Sequence, residues 1–148
     1  DEPIVSWRDH AYRNDRNTSK LLSNAGIQYI SDTVTPDHHA PYREDNLVVV
    51  PINTLPDHEH MYHAFRTEDY VEQLNWRNAF TSESFEPEEW ADLNLTRIRD
   101  MEDNAGESVA TVLAHPACMS IADGFKTFRY LCNGLANFDG RLMRELEV

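Results

Sequence analysis

Residues 47–63 read LVVVPINTLPDHEHMYH: a β-branched apolar run closed by a proline, then three histidines, an aspartate and a glutamate within nine residues. An alternating strand keeps one face in water, whereas the uninterrupted run from Leu47 to Val50 suits a strand covered on both faces, as in parallel sheets. The histidine-rich stretch then lies just beyond a strand's C-terminal end, where α/β folds gather functional residues. Spacing leaves its chemistry open. His58 and His60 point the same way on a strand, whereas on a helix the neighbouring pair is His60 and His63.

Working outward, IVSW (Ile4 to Trp7) reads as a strand opening onto the polar loop that starts at Arg8. Asn17 or Thr18 can cap a short helix carrying Leu21, Leu22 and Ala25, and Gly26 supplies the left-handed stop before the strand IQYIS (Ile27 to Ser31). Strand, helix and strand within about thirty residues match a parallel βαβ unit. The stretch from Thr35 to Asp45 reads as a loop, with His38 and His39 solvated. A helix is expected over 68–78, and a second opens at SFEPEEW, with Ser84 or Glu86 near the cap and Pro87 in the first turn. Its inner face is expected to hold Trp90, Leu93, Arg97 or Ile98, and Met101, with its end at Asn104 to Gly106. SVATVLAHP (Ser108 to Pro116) reads as another strand. Gly124 to Asn137 reads as a last helix with Phe125, Phe128, Leu131, Cys132 and Leu135 inward. This alternation argues for an α/β fold, a parallel sheet or a segment of a barrel. Four strands are too few to close a barrel, which leaves bare edges and a tendency to self-associate, so a homo-oligomer is one expected state.

The chain has 148 residues with 41% hydrophobic content, the size of a single domain that buries roughly 68–70% of its unfolded surface. No apolar run approaches the roughly 20 residues of a membrane span. Asp and Glu number 26 against 13 Lys and Arg, a formal charge of −13, and the only lysines are Lys20 and Lys126. Nucleic acid and anionic lipid are therefore poor partners. The acidic, lysine-poor, arginine-retaining composition reads as adaptation to concentrated salt, which screens the self-repulsion, with an ordinary acidic protein as the alternative. Cys118 and Cys132 follow no metal-ligand spacing and exclude a disulfide scaffold; they read as free, mostly buried thiols.

Three stretches carry a resemblance. Arg8-Asp-His-Ala-Tyr12 is followed by TSKLLSNAGIQYISD; APY (Ala40 to Tyr42) is followed by LVVVPINTLPDHEH; and VLAHP (Val112 to Pro116) comes near the end. In that order they resemble the third motif, a proline-ended strand leading to an aspartate, and the fifth motif of the polysaccharide deacetylase (NodB-type) family, especially its allantoinase-like branch. Residues 1–148 then look like the C-terminal portion of a distorted (β/α)7 TIM-like barrel. The family's Asp-Asp pair and its two metal-binding histidines belong to an N-terminal half that has no counterpart here. Arg8 is followed by Asp-His-Ala rather than a small residue and proline.

The resemblance implies a metal-dependent hydrolase that removes N-acyl groups, such as acetyl from amino sugars or polysaccharide, and that is incomplete in this chain. Zinc or another divalent metal is expected in the complete domain, with its ligands outside this chain. His115 would protonate the leaving amine, and Arg8, held by Asp57, would orient the base. Tyr12, His10 and Trp7 would line a substrate wall. His58, His60 and His63 are then rim residues, although nearby His and Glu can complete a zinc shell. Two other functions fit the same residues: a non-catalytic carbohydrate-binding or structural domain, and a hydrolase of small amides. The location is open between cytoplasm and cell envelope, in a high-salt setting.

Overall fold

In a computed structural model, the structure describes residues 3–74, 79–104, 108–146 and 148. The fold is α/β, with one mixed sheet and six α-helices among the described residues. Strand β1 (Ser6–Trp7), helix α1 (Arg16–Asn24) and strand β2 (Tyr29–Ile30) form the expected βαβ unit, and β3 (Tyr42–Glu44) and β4 (Leu47–Val49) follow. The sheet order is β1-β2-β4-β3, with β1, β2 and β4 parallel and β3 antiparallel to β4. The loop expected over Thr35 to Asp45 thus contains an edge strand. The ladders are short, but Thr35 N–H to Ile52 O and Ile52 N–H to Thr33 O carry the β2–β4 pairing past the strand ends.

Sequence and position agree best at β4. Leu47 and Val49 pack with Ile27, Ile30 and Leu22 on one face, while Val48 and Val50 pack with Tyr29, Val5, Met143 and Leu146 on the other. Both faces are covered, as the unbroken apolar run requires. Helix α1 is capped by Asp15, whose carboxylate accepts from the N–H groups of Asn17 and Thr18, two to three residues before the expected cap. Gly26 follows at φ +90°, the left-handed stop.

The second half packs helices around Trp90, Leu95, Met119 and Leu131, with Leu55 and Met61 contributed by the segment after β4. Helix α2 (Asp57–His60) is a single turn, α3 covers Glu68–Leu74, and α4 covers Pro87–Asn104 with Pro87 as its first residue. The expected continuation of α3 to Asn78, and the α4 stop at Gly106, lie outside the described residues. The buried face of α4 is Trp90, Ala91, Asn94, Leu95, Ile98 and Met101, whereas Leu93 is exposed. Asn94 replaces Leu93 inside because Nδ2 and Oδ1 bond the carbonyl and N–H of Leu55, so a polar side chain is satisfied in the core.

Two expectations are corrected near the C-terminus. Residues 108–115 join no strand; their backbone is held instead by side chains and a loop. Asn53 Nδ2 donates to Val109 O, Asn53 Oδ1 accepts from Thr111 N–H, Thr54 Oγ1 donates to Thr111 O, and Val109 N–H reaches His39 O. The expected single helix is two, α5 (Pro116–Asp123) and α6 (Lys126–Leu135), because Gly124 and Phe125 both take left-handed backbone at φ +64° and +67°. Thr127 and Leu131 are the buried residues of α6, while Phe128 and Cys132 are exposed. Helix α6 crosses α4 closely at Gly134, where an added Cβ would stand 2.6 Å from Leu95 Cδ1. No described helix is long and apolar enough to cross a membrane.

Candidate functional site

The chain leaves β4 through Pro51–Pro56, buried throughout, and turns into α2. Asp57 is the first residue of that turn and is fully buried. Three N–H groups converge on its carboxylate: His58 N–H on Oδ1 at 2.8 Å, His115 N–H on Oδ2 at 2.6 Å, and His115 Nδ1 on Oδ1 at 2.6 Å. A carboxylate that only accepts keeps the imidazole proton on Nδ1, which leaves Nε2 for exchange with another molecule. His115 caps α5, and its side chain is 47% exposed, so a buried acceptor orients a half-exposed ring.

Arg8 has a different partner from the one expected. Its Nε donates to Ser31 O at 2.9 Å and its NH2 to Ser31 Oγ at 2.7 Å, and among the described residues no ion pair joins it to Asp57. The β1–β2 pairing brings Ser31 beside Arg8, while Asp57 accepts from His115 and the His58 N–H instead. Burial pulls the Arg8 guanidinium below its usual value, opposed by the nearby Tyr12 and Asp32. Tyr12 lies in the electrostatic reach of both Arg8 and Glu59. Its phenol is half-buried and held well above the usual tyrosine range, first by burial, then by Glu59, with Arg8 acting in the opposite direction and Asp57 adding to the rise. Ala11 and Tyr12 both have positive φ, 54° and 56°, a strained turn that fixes the loop after β1. Trp7 and His10 are on the solvent side of that loop. Trp7 donates its indole N–H to Asp9, and neither residue is hydrogen-bonded to Asp57 or His115.

The three histidines of the opening stretch divide. His60 is fully buried, with Nδ1 3.0 Å from Glu83 O and its ring edge-on to Phe80, a packing role. His58 and His63 instead turn to the Asp57 side. Their ring centroids are 5.7 Å apart, and His58 is equally close to His115. Cys118, on the first turn of α5, places Sγ 3.6 Å from His58 Nδ1. Burial, with Asp57 and Glu59 nearby, pushes the Cys118 thiol up to about 11. Burial lowers His63, helped by His58, so its ring favours the neutral form. Burial raises the Glu59 carboxyl, and its Oε2 is enclosed without a hydrogen-bond partner.

Two groups of donors therefore have ligand atoms within 4.8 Å of one another: His58, His63 and Cys118, and Asp57, His115 and Cys118. These are possible metal-binding groups inside the chain, where the sequence alone assigned none. Cys118 and Glu59 were missed as site residues. The available signal for Cys118 was His115-Pro116, a helix opening that sets a thiol one turn after the histidine. In comparisons with known proteins, no family model, no curated protein and no solved structure matches the chain.

Proposed function

We propose that the chain is the C-terminal portion of a distorted (β/α)7 TIM-like barrel and supplies the proton-transfer side of a metal-dependent hydrolase that removes N-acyl groups from amino sugars or polysaccharide. The observation that carries this reading is the Asp57–His115 pair: a buried carboxylate, accepting at 2.6 Å from a half-exposed imidazole at the start of a helix. The parallel order of β1, β2 and β4, with Arg8 directly after β1, supports the architecture.

Amide hydrolysis needs a proton delivered to the leaving nitrogen as the C–N bond breaks, because an amide anion is too poor a leaving group. His115 performs that delivery from Nε2. Asp57 holds the ring's tautomer and orientation, as buried carboxylates do for catalytic histidines. Arg8, fixed at two points by Ser31, offers its remaining donors to a carboxylate base on the N-terminal half of the barrel. Tyr12, kept protonated by its surroundings, is a hydrogen-bond donor at the substrate's edge. Zinc or another divalent metal, held by the N-terminal half, would polarise the acyl oxygen and activate water. Asp57 is assigned to the histidine rather than to that metal, because three of its roughly four acceptor positions already hold N–H groups.

The test is acetate release from N-acetylglucosamine oligomers by the complete protein. His115→Ala is expected to lower kcat by about 10²-fold or more with metal content unchanged. Near-normal turnover would show that His115 is structural. Turnover of small amides in place of the polymer would move the substrate class and leave the role of the pair intact.

A further inference from the structure

We infer that His58, His63 and Cys118 form a zinc site belonging to this chain alone, with a fourth position open toward solvent. The proposal is independent of the hydrolase reading, whose metal ligands lie outside the chain.

The distances fit a single ion. Tetrahedral zinc with Zn–S about 2.3 Å and Zn–N about 2.0–2.1 Å sets sulfur and nitrogen ligands about 3.5–3.6 Å apart. Cys118 Sγ and His58 Nδ1 stand 3.6 Å apart. The donor atoms of all three residues lie within 4.8 Å of one another, close enough for one ion to reach each of them.

An enclosed atom points the same way. His63 is only 8% exposed, and its Nε2 has no hydrogen-bond partner. Buried polar atoms are ordinarily paired, and on a ring grouped with a thiol and a second imidazole an ion would supply the missing contact. Binding at Nε2 moves the ring proton to Nδ1, which now accepts from Phe65 N–H at 3.3 Å, a long and weak contact to displace.

Chemistry selects this group over the neighbouring one. Asp57 and His115 are already partners of each other, through a backbone N–H and a ring nitrogen that each stand 2.6 Å from the carboxylate. Two imidazoles and a thiolate suit zinc, and three protein ligands leave one coordination position free.

The experiment titrates the tag-free 148-residue chain with Zn²⁺ against a chromophoric chelator, and with Co²⁺ for its spectrum. One equivalent of Zn²⁺ and a thiolate-to-cobalt charge-transfer band are expected. The band should vanish in Cys118→Ser and persist in Cys132→Ser, and His58→Ala and His63→Ala should each weaken Zn²⁺ by at least about tenfold. Asp57→Asn and His115→Gln should keep the metal, which separates this site from the proton-transfer pair and its failure from that of the proposed function. A folded wild-type chain that binds Co²⁺ without the charge-transfer band, or binds no Zn²⁺, would overturn the proposal even if a variant misfolds. So would a band lost in Cys132→Ser and kept in Cys118→Ser.

Discussion

Glu59 shows how one residue's surroundings reverse its contribution. On an exposed turn a glutamate is neutral to stability, but here burial holds its carboxyl above the usual range and leaves Oε2 without a partner. The folded protein therefore takes up a proton at Glu59 more readily than the unfolded chain. Its cost is absent in acid and grows as pH rises past the ordinary value of 4.5. Glu59→Gln should match the parent's melting temperature near about pH 3.5 and exceed it at neutral pH, with the gap opening between. Thermal melts across that range check this, and a gap that is constant or closes toward neutrality would contradict it. Asp57 makes the opposite point: more deeply buried, it is satisfied by three N–H groups, and two of them come from His115.

Among elements, the segment over 108–115 departs furthest from expectation. Its composition is strand-like, yet side chains of residues 53 and 54 take the hydrogen bonds that a neighbouring strand would take. Asn53 is the hub. It donates to His38 O and Val109 O, accepts from Thr111 N–H, and its own carbonyl accepts from Arg97. Asn53→Ala should therefore cost about 2–3 kcal/mol, since each enclosed backbone group left without a partner costs roughly 1–3 kcal/mol and nearby solvent relieves part of it. Urea unfolding measures this, and a change below about 0.5 kcal/mol would mean that water replaces the side chain fully. The same segment carries His115 to Asp57, so its loosening should also disturb the candidate site.

Across the whole molecule, net charge is what most sets the response to solvent. At −13, the chain repels itself, and exposed pairs such as Lys126–Glu88, at 3.9 Å with both side chains largely in solvent, offset little of it. The melting temperature should rise as KCl goes from millimolar to molar, by several degrees, because screening shortens the reach of that repulsion from about 30 Å to about 3 Å. A flat or falling trend by calorimetry would count against salt adaptation. The exposed edges at β1 and β3 remain the places where a second strand could pair.

The sequence by itself determined the α/β class, the buried run of β4, the βαβ unit closed by Gly26, and the start of α4 at Pro87. Each follows from propensity and periodicity acting between near neighbours in the chain. It also pointed to Asp57 and His115, through the resemblance and their places beyond apolar runs. Only the tertiary structure decided their pairing, and which histidines share the site. Asp57 meets His115 across 58 positions and His58 meets Cys118 across 60, so no local pattern encodes either contact. Arg8 and Asp57 had suitable charges for each other, but the register of β1 on β2 gave Arg8 to Ser31 and the start of α5 gave Asp57 to His115. Charge makes such a pair favourable; the packing of distant elements chooses which one forms.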